Sequence, residues 1–274
     1  MMHESGYDGR STLVVGAASG MGRAATAMLL AQGAEVRTVD LATHDLDVAG
    51  HLSVDLRDEG AAAGVAEWAP ADLDAVFLCA GLPQTHPAAE VVTVNFVAAR
   101  ALVDALAPKT RRGGSITAIV SMTYGWERTA GLVGDLVATV DEAAARTWLD
   151  ANVEALGDPY IASKLALTAW ALGRAAPLMS ERGVRLNLLG PGSTETPMYR
   201  HFEQAVGAET LAMTTAVVGR TSTADEQAGA LLFLGHPANA YMVGTLLLND
   251  GGMSAAMAAG SFARAHRKSI ENRS

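Results

Sequence analysis

The chain has 274 residues, 50% of them hydrophobic and 18% charged, a balance that excludes a disordered chain. Asp and Glu outnumber Lys and Arg by 29 to 20, a net charge of −9, so the basic footprint of a general nucleic-acid binder is missing. The lone cysteine, Cys79, can form neither an internal disulfide nor a Cys-rich zinc site. The first residues lack the basic and apolar regions of a secretory signal, and no uninterrupted apolar run reaches the ~18 residues of a membrane span. The expectation is a protein of the cytoplasm, with no membrane and no nucleic acid among its partners.

Strand-like and helix-like segments alternate along the chain. A short apolar run at 13–15 precedes a helical stretch over 21–32. Strands are expected at 35–39 and 51–54, a helix at 59–68, and an apolar strand at 75–79. Runs apolar on both faces suit a parallel sheet. A helix over 91–106, a strand over 115–120, a long helix over 160–182 and strands at 184–189 and 245–248 complete the pattern. Repeated β-α units predict an α/β, single-domain, Rossmann-type doubly wound parallel sheet with helices on both faces. The domain is expected over 1–252, with an insert at about 125–157, a substrate lid at about 197–218 and a tail at 253–274. Residues 141–151 of the insert read as helical. The tail reads as a solvated helix or, alternatively, as a functional lid.

Gly16-Ala17-Ala18-Ser19-Gly20-Met21-Gly22 lies between the first strand and the first helix. Glycines there let the backbone approach a pyrophosphate, and the helix N-terminus offers free N–H groups to the anion. Asp40 follows 18 residues beyond Gly22, at the end of the second strand. A carboxylate there accepts hydrogen bonds from both adenosine ribose hydroxyls and repels a 2′-phosphate, which favours NAD over NADP. Arg23 and Arg37 are the cations that would reverse this preference.

Tyr160 and Lys164 are four residues apart and share one helix face. A tyrosine serving as a base near neutrality needs its pKa lowered by roughly three units, which a nearby cation helps to supply.

These motifs resemble the short-chain dehydrogenase/reductase family, from about residue 11 to residue 252. The matching pieces are Gly16-x3-Gly20-x-Gly22, Asp40, Asp55-Leu56, Cys79-Ala80-Gly81, Asn95, Ser121, Tyr160-x3-Lys164, Pro191-Gly192 and Asp250-Gly251-Gly252. The resemblance implies a catalytic set of Asn95, Ser121, Tyr160 and Lys164. In it Tyr160 is the general acid/base, Ser121 holds the substrate oxygen, Lys164 holds the nicotinamide ribose and lowers the Tyr160 pKa, and Asn95 fixes a relay water. It implies that Asp55 and Leu56 meet the adenine and Thr196 the carboxamide. The full set it implies around NAD is Gly16, Ser19, Gly20, Met21, Gly22, Asp40, Leu41, Asp55, Leu56, Cys79, Ala80, Gly81, Tyr160, Lys164, Pro191, Gly192, Thr194 and Thr196, with no metal. Thr123 is the alternative hydroxyl to Ser121, and Cys79 stands where the family often has Asn.

Ser121 and Tyr160 are 39 residues apart, a longer gap than most of the family shows. That gap, with Leu78-Cys79-Ala80-Gly81-Leu82 and Pro191-Gly192-x-Thr194-Glu195-Thr196-Pro197, is similar to the bacterial 3α-hydroxysteroid dehydrogenase/carbonyl reductase branch. The branch implies a hydrophobic cyclic alcohol or ketone of terpenoid or steroid type, or a primary aryl-allyl alcohol such as coniferyl alcohol. It also implies a homodimer or homotetramer; the insert would either cover the helix used for tetramer contacts or wall the pocket. Met198, Tyr199, Phe202, Leu211, Met213 and Val217 are candidate pocket walls, and His86 and His201 lie near the expected mouth. A non-catalytic dinucleotide-binding protein is the remaining alternative.

Overall fold

The computed structural model describes residues 6–122 and 131–261. Its first half contains β1 (Ser11–Val15), α1 (Gly20–Ala31), β2 (Glu35–Asp40), β3 (Gly50–Ser53), α2 (Ala61–Trp68) and β4 (Leu73–Leu78). Next comes a continuous helix of α3 (Ala88–Val92), a π-helical turn (Thr93–Ala98) and α4 (Ala99–Leu106), followed by β5 (Thr110–Ile119). The insert supplies α5 (Leu132–Val137) and α6 (Glu142–Asn152) ahead of α7 (Pro159–Arg182) and β6 (Arg185–Pro191). The remainder is β7 (Thr194–Glu195), α8 (Pro197–Val206), α9 (Ala208–Met213), β8 (Ser222–Thr223), α10 (Ala224–Gly235), β9 (Leu246–Asn249) and α11 (Met253–Ala258).

Seven strands form one parallel sheet in the order β3-β2-β1-β4-β5-β6-β9. The chain winds outward from β1 in both directions, so the topological switch point lies between β1 and β4. A crevice outside the carboxyl ends of those two strands is where this fold binds ligands. Strand residues such as Val14, Val15, Val76 and Phe77 are buried because helices cover both sheet faces. On one face α2, α4 and α7 close the core through Val65, Leu102, Leu106 and Leu167. On the other, α1 and α10 close it through Leu29, Leu231 and Leu234.

The doubly wound expectation holds. Its omission is α10, for which the sequence reading has no helix. The signal was present: Thr223 accepts from the Glu226 N–H and the Glu226 carboxylate accepts from the Thr223 N–H, a capping box written as Thr-x-x-Glu. At the other end of α10, the fully buried Arg185 guanidinium donates to the carbonyls of Leu234, Gly235, His236 and Asn239. A charge can stay buried there because four carbonyl dipoles at and beyond the helix end converge on it.

The 22-residue helix Ala88–Lys109 is long and apolar enough to cross a membrane, but 78% of its apolar stretch is buried in this core. The insert lies along the α4–α7 side. Leu136 of α5 and Leu149 of α6 join the core cluster that holds Leu167. Buried Arg100 of α4 ties the insert down, donating to the Thr139 carbonyl at 2.8 Å, to the Thr139 hydroxyl and to the Asp141 carbonyl. Of the two places expected for the insert, the described part takes the helix face. Thr123 and most of the tail fall outside the described residues; α11 opens the tail as a short helix.

Candidate active site

The glycine turn is shaped by close backbone approaches. Gly16 has φ +87°, and a Cβ on it would stand 2.3 Å from the Ala80 nitrogen. A Cβ on Gly22 would stand 1.9 Å from the Gly16 carbonyl oxygen. The turn therefore tucks against the end of β4 and brings Cys79-Ala80-Gly81 beside Gly16. Ser19 precedes α1 with no side-chain capping bond, so the first-turn N–H groups stay directed to the crevice.

The resulting cavity, of about 300 Å³, is lined by Gly16, Ser19, Gly20, Met21, Gly22, Asp40, Leu41, Asp55, Leu56, Cys79, Ala80, Gly81 and Thr196 of the expected cofactor set. Asp40 pins the turn in place: its carboxylate accepts from the N–H groups of Ala18 at 2.9 Å and Ala42 at 3.0 Å. Arg23 is paired with Asp45 and Arg37 with Glu35, each at 2.6 Å, and neither lines the cavity. A mononucleotide-binding crevice with a carboxylate at the second strand end fits a nicotinamide dinucleotide.

Five expected residues are not in its lining: Tyr160 and Lys164, described below, and three more. Pro191 and Thr194 do not line this cavity, and Gly192 opens onto a separate polar one. The Thr194 hydroxyl faces Gly192 O at 2.9 Å and Ser222 Oγ at 3.0 Å, because β7 pairs with β8 and turns that side chain inward. Conversely, Arg57 lines the cavity although the sequence reading passed over it. Its guanidinium grips the Asp55 carboxylate at 2.6–3.0 Å and reaches Glu90 at 2.8 Å. Its carbonyl accepts from Arg146 of the insert at 2.9 Å. An Arg two residues after a strand-end Asp was the available clue.

The expected catalytic set converges beside this crevice. Asp158 caps α7, accepting from the N–H groups of Tyr160 and Ile161 at 2.9 and 3.0 Å, with Pro159 at the first helical position. That start places Tyr160 beside Ser121 at the end of β5, and the two side chains are hydrogen-bonded. One turn on, buried Lys164 donates to the Ile119 carbonyl at 3.0 Å, with Nζ 5.8 Å from the Tyr160 ring centre. Asn95 lies in the π-helical turn, a distortion common at functional sites. Its side chain accepts from Leu82 N at 2.7 Å and donates to Leu82 O at 2.9 Å. It also donates to Ser163 Oγ at 3.3 Å, so it holds the loop after β4 rather than addressing Lys164 directly.

Burial pushes Tyr160 up to about 12, against the pull of the Ser121 hydrogen bond. Burial also lowers Lys164 to about 8 and raises the Cys79 thiol to about 12. Cys79 is therefore a protonated, unreactive wall. Among the described residues, no group of three His, Cys, Asp or Glu side chains could hold a metal ion.

The segment expected as the lid folds as α8 and α9. Met198 and Pro197 line the cofactor cavity, and Leu211 is buried beneath α9. His86 lines the same cavity, 6.4 Å from the His201 ring. Tyr199 lines a groove on the outer side of the lid, and Val217 is exposed.

Comparison with known proteins agrees with this geometry. Residues 134–254 match a family model described as Enoyl-(Acyl carrier protein) reductase. The chain is 33% identical to a 3-alpha-hydroxysteroid dehydrogenase/carbonyl reductase of Comamonas testosteroni, over 89% of this chain and 96% of that protein. It is 27% identical to a coniferyl-alcohol dehydrogenase of a Pseudomonas species, over 89% and 96% respectively. The crystal structure of a 3-alpha-hydroxysteroid dehydrogenase from Pseudomonas sp. B-0831, complexed with NADH, superposes with a TM-score of 0.77 at 30% identity, covering 91% of this chain and 98% of that one. With its glycine turn, its Ser-Tyr-Lys cluster and this likeness over nearly the whole length, the chain belongs to the short-chain dehydrogenase/reductase family.

Proposed function

We infer that this protein is an NAD-dependent oxidoreductase interconverting a hydrophobic cyclic secondary alcohol and its ketone. The observation carrying the reading is the Ser121–Tyr160 hydrogen bond at the mouth of a dinucleotide-shaped crevice, with Lys164 one helical turn away. The bound nicotinamide dinucleotide supplies the hydride chemistry. Asp40 supports NAD over NADP, because a 2′-phosphate would meet a carboxylate while Arg23 and Arg37 are engaged with other acids.

Each residue has a distinct task. Ser121 donates a hydrogen bond to the substrate oxygen and orients it toward Tyr160. In reduction, the Tyr160 hydroxyl gives its proton to the carbonyl oxygen as the C–H bond forms. In oxidation the phenolate takes the alcohol proton back. A phenol held near 12 is protonated at neutral pH, ready for the acid role. For the base role, the positive charges of Lys164 and of an oxidised nicotinamide ring favour the phenolate. Asn95 keeps the loop at Leu82 in register with the catalytic helix.

Support for a hydrophobic cyclic substrate comes from the apolar lid residues Met198 and Phe202 and from the relatives' substrates. The coniferyl-alcohol dehydrogenase likeness supports a second reading, a primary aryl-allyl alcohol. The test is NADH formation at 340 nm on cyclic terpenols, hydroxysteroids and aryl-allyl alcohols, with NAD and NADP in parallel. Turnover of a cyclic secondary alcohol with NAD is expected. Turnover only of the aryl-allyl alcohols would select the second reading. Silence in a protein that binds NADH would overturn both.

A further inference from the structure

One face of α8 is turned to the reacting groups. Met198, His201 and Phe202 are spaced i, i+3 and i+4, so they share a side of the helix. Met198 lines the cofactor cavity, and His201 Nδ1 is 3.0 Å from the Thr85 hydroxyl. The Phe202 ring meets Tyr160 edge to face, with ring centres 4.9 Å apart and an interplanar angle of 74°. None of the ten residues of α8 is buried. This helix is seated by a few contacts with the site and not by a core, so it can be displaced without unfolding the sheet.

The geometry points to Phe202 as the specificity-determining gate of this site. With the lid down, its ring occupies the place that a substrate ring takes beside Tyr160, and the Thr85–His201 hydrogen bond is the latch that returns it. The inference rests on reading Tyr160 as the acid/base. An edge-to-face aromatic pair is a weak contact beside the burial of a whole hydrocarbon ring. A multi-ring alcohol therefore displaces Phe202 and recovers more than it loses. A short acyclic alcohol buries too little to do so and binds beside the closed gate. Displacing the ring is a cost that the multi-ring alcohol carries and the short one does not.

The same ring keeps water from the Tyr160 hydroxyl, so the gate also influences ionisation. The other groups facing Tyr160 are Ser121 at the end of β5 and Lys164 and Asp158 on its own helix. Cys79 faces Lys164 from the end of β4.

The experiment compares wild type with Phe202→Ala, Phe202→Leu, Phe202→Trp and Thr85→Val. Two quantities are read: the ratio of kcat/KM for a decalin-type alcohol to that for 2-propanol, and the tyrosinate titration by ultraviolet difference, assigned with Tyr160→Phe. NADH fluorescence confirms that each variant is folded and binds cofactor. Phe202→Ala should raise the ratio about tenfold and move the Tyr160 transition down toward the ordinary value of ~10. Phe202→Leu should fall between Phe202→Ala and wild type, Thr85→Val should shift both readouts less, and Phe202→Trp should lower the ratio. An unchanged ratio with an unchanged titration in Phe202→Ala overturns the gate. A lowered titration with no alcohol turned over by any variant would support the seat of Phe202 on Tyr160 while removing the dehydrogenase reading.

Discussion

The cofactor wall and the substrate lid are built by opposite means. The wall is made where sheet strands end: Gly16, Gly22 and Ala80 approach so closely that a single added methyl group collides with backbone. Asp40 stitches β2 to the glycine turn, and Arg57 links Asp55, Glu90 and the insert. The segment proposed as the lid has short helices, no buried residue on α8 and a Thr85–His201 hydrogen bond. The contrast follows from what each must recognise. A dinucleotide presents the same pyrophosphate and riboses to every enzyme that uses it, so a rigid wall suits it. A hydrophobic substrate must pass from water to a dry site, and its enclosure has to open.

The sharpest way to break this comparison is at the junction of the two regions. Tyr160→Phe should lower kcat by about 10²–10⁴-fold, the usual worth of a proton-transfer group, with NADH affinity nearly unchanged. Equal losses in both would make Tyr160 part of the wall. With Tyr160 held near 12 in the free protein, kcat/KM for alcohol oxidation should climb through the alkaline range, whereas ketone reduction should hold steady until the phenol ionises.

The rigid half should respond globally. Arg185→Met removes a buried donor shared by four carbonyls at and beyond the end of α10 and should destabilise the fold by about 3 kcal/mol, seen as a lower denaturant midpoint. A wild-type midpoint would show that water replaces the guanidinium. Gly22→Ala sets a methyl against the Gly16 carbonyl and should cost about 2 kcal/mol of stability together with NADH binding. Retained NADH affinity would show a softer turn than the geometry describes. The smallest expected effect is Asp40→Ala: NADH binding weakened by about tenfold, roughly 1.4 kcal/mol, with relative use of NADPH improved. An unchanged cofactor ratio would mean that Asp40 serves the turn through Ala18 and Ala42 alone.

Much of this protein was legible from local pattern. Period and apolar runs place β1, β2, β4, β6 and α7, because parallel strands covered by helices on both faces must be continuously apolar. The glycine turn and the Tyr160–Lys164 pair are equally readable, since close backbone approach admits only glycine and four-residue spacing places two side chains on one helix face. Even α10 announced itself through Thr223 and Glu226.

Only the tertiary structure decided matters that depend on what stands opposite. Thr194 turned to Ser222 because β7 found β8 as its partner. The insert settled on the α4–α7 side because Arg100 offers its donors there. Tyr160 moved up to about 12 because burial outweighs the Ser121 hydrogen bond, a competition that spacing along the chain cannot weigh. Sequence by itself determined the sheet, the turn and the pairing of Tyr160 with Lys164 on one helix face, through constraints local to each segment. Which side chains those groups face, and with what charge, was decided by contacts between segments far apart in the chain.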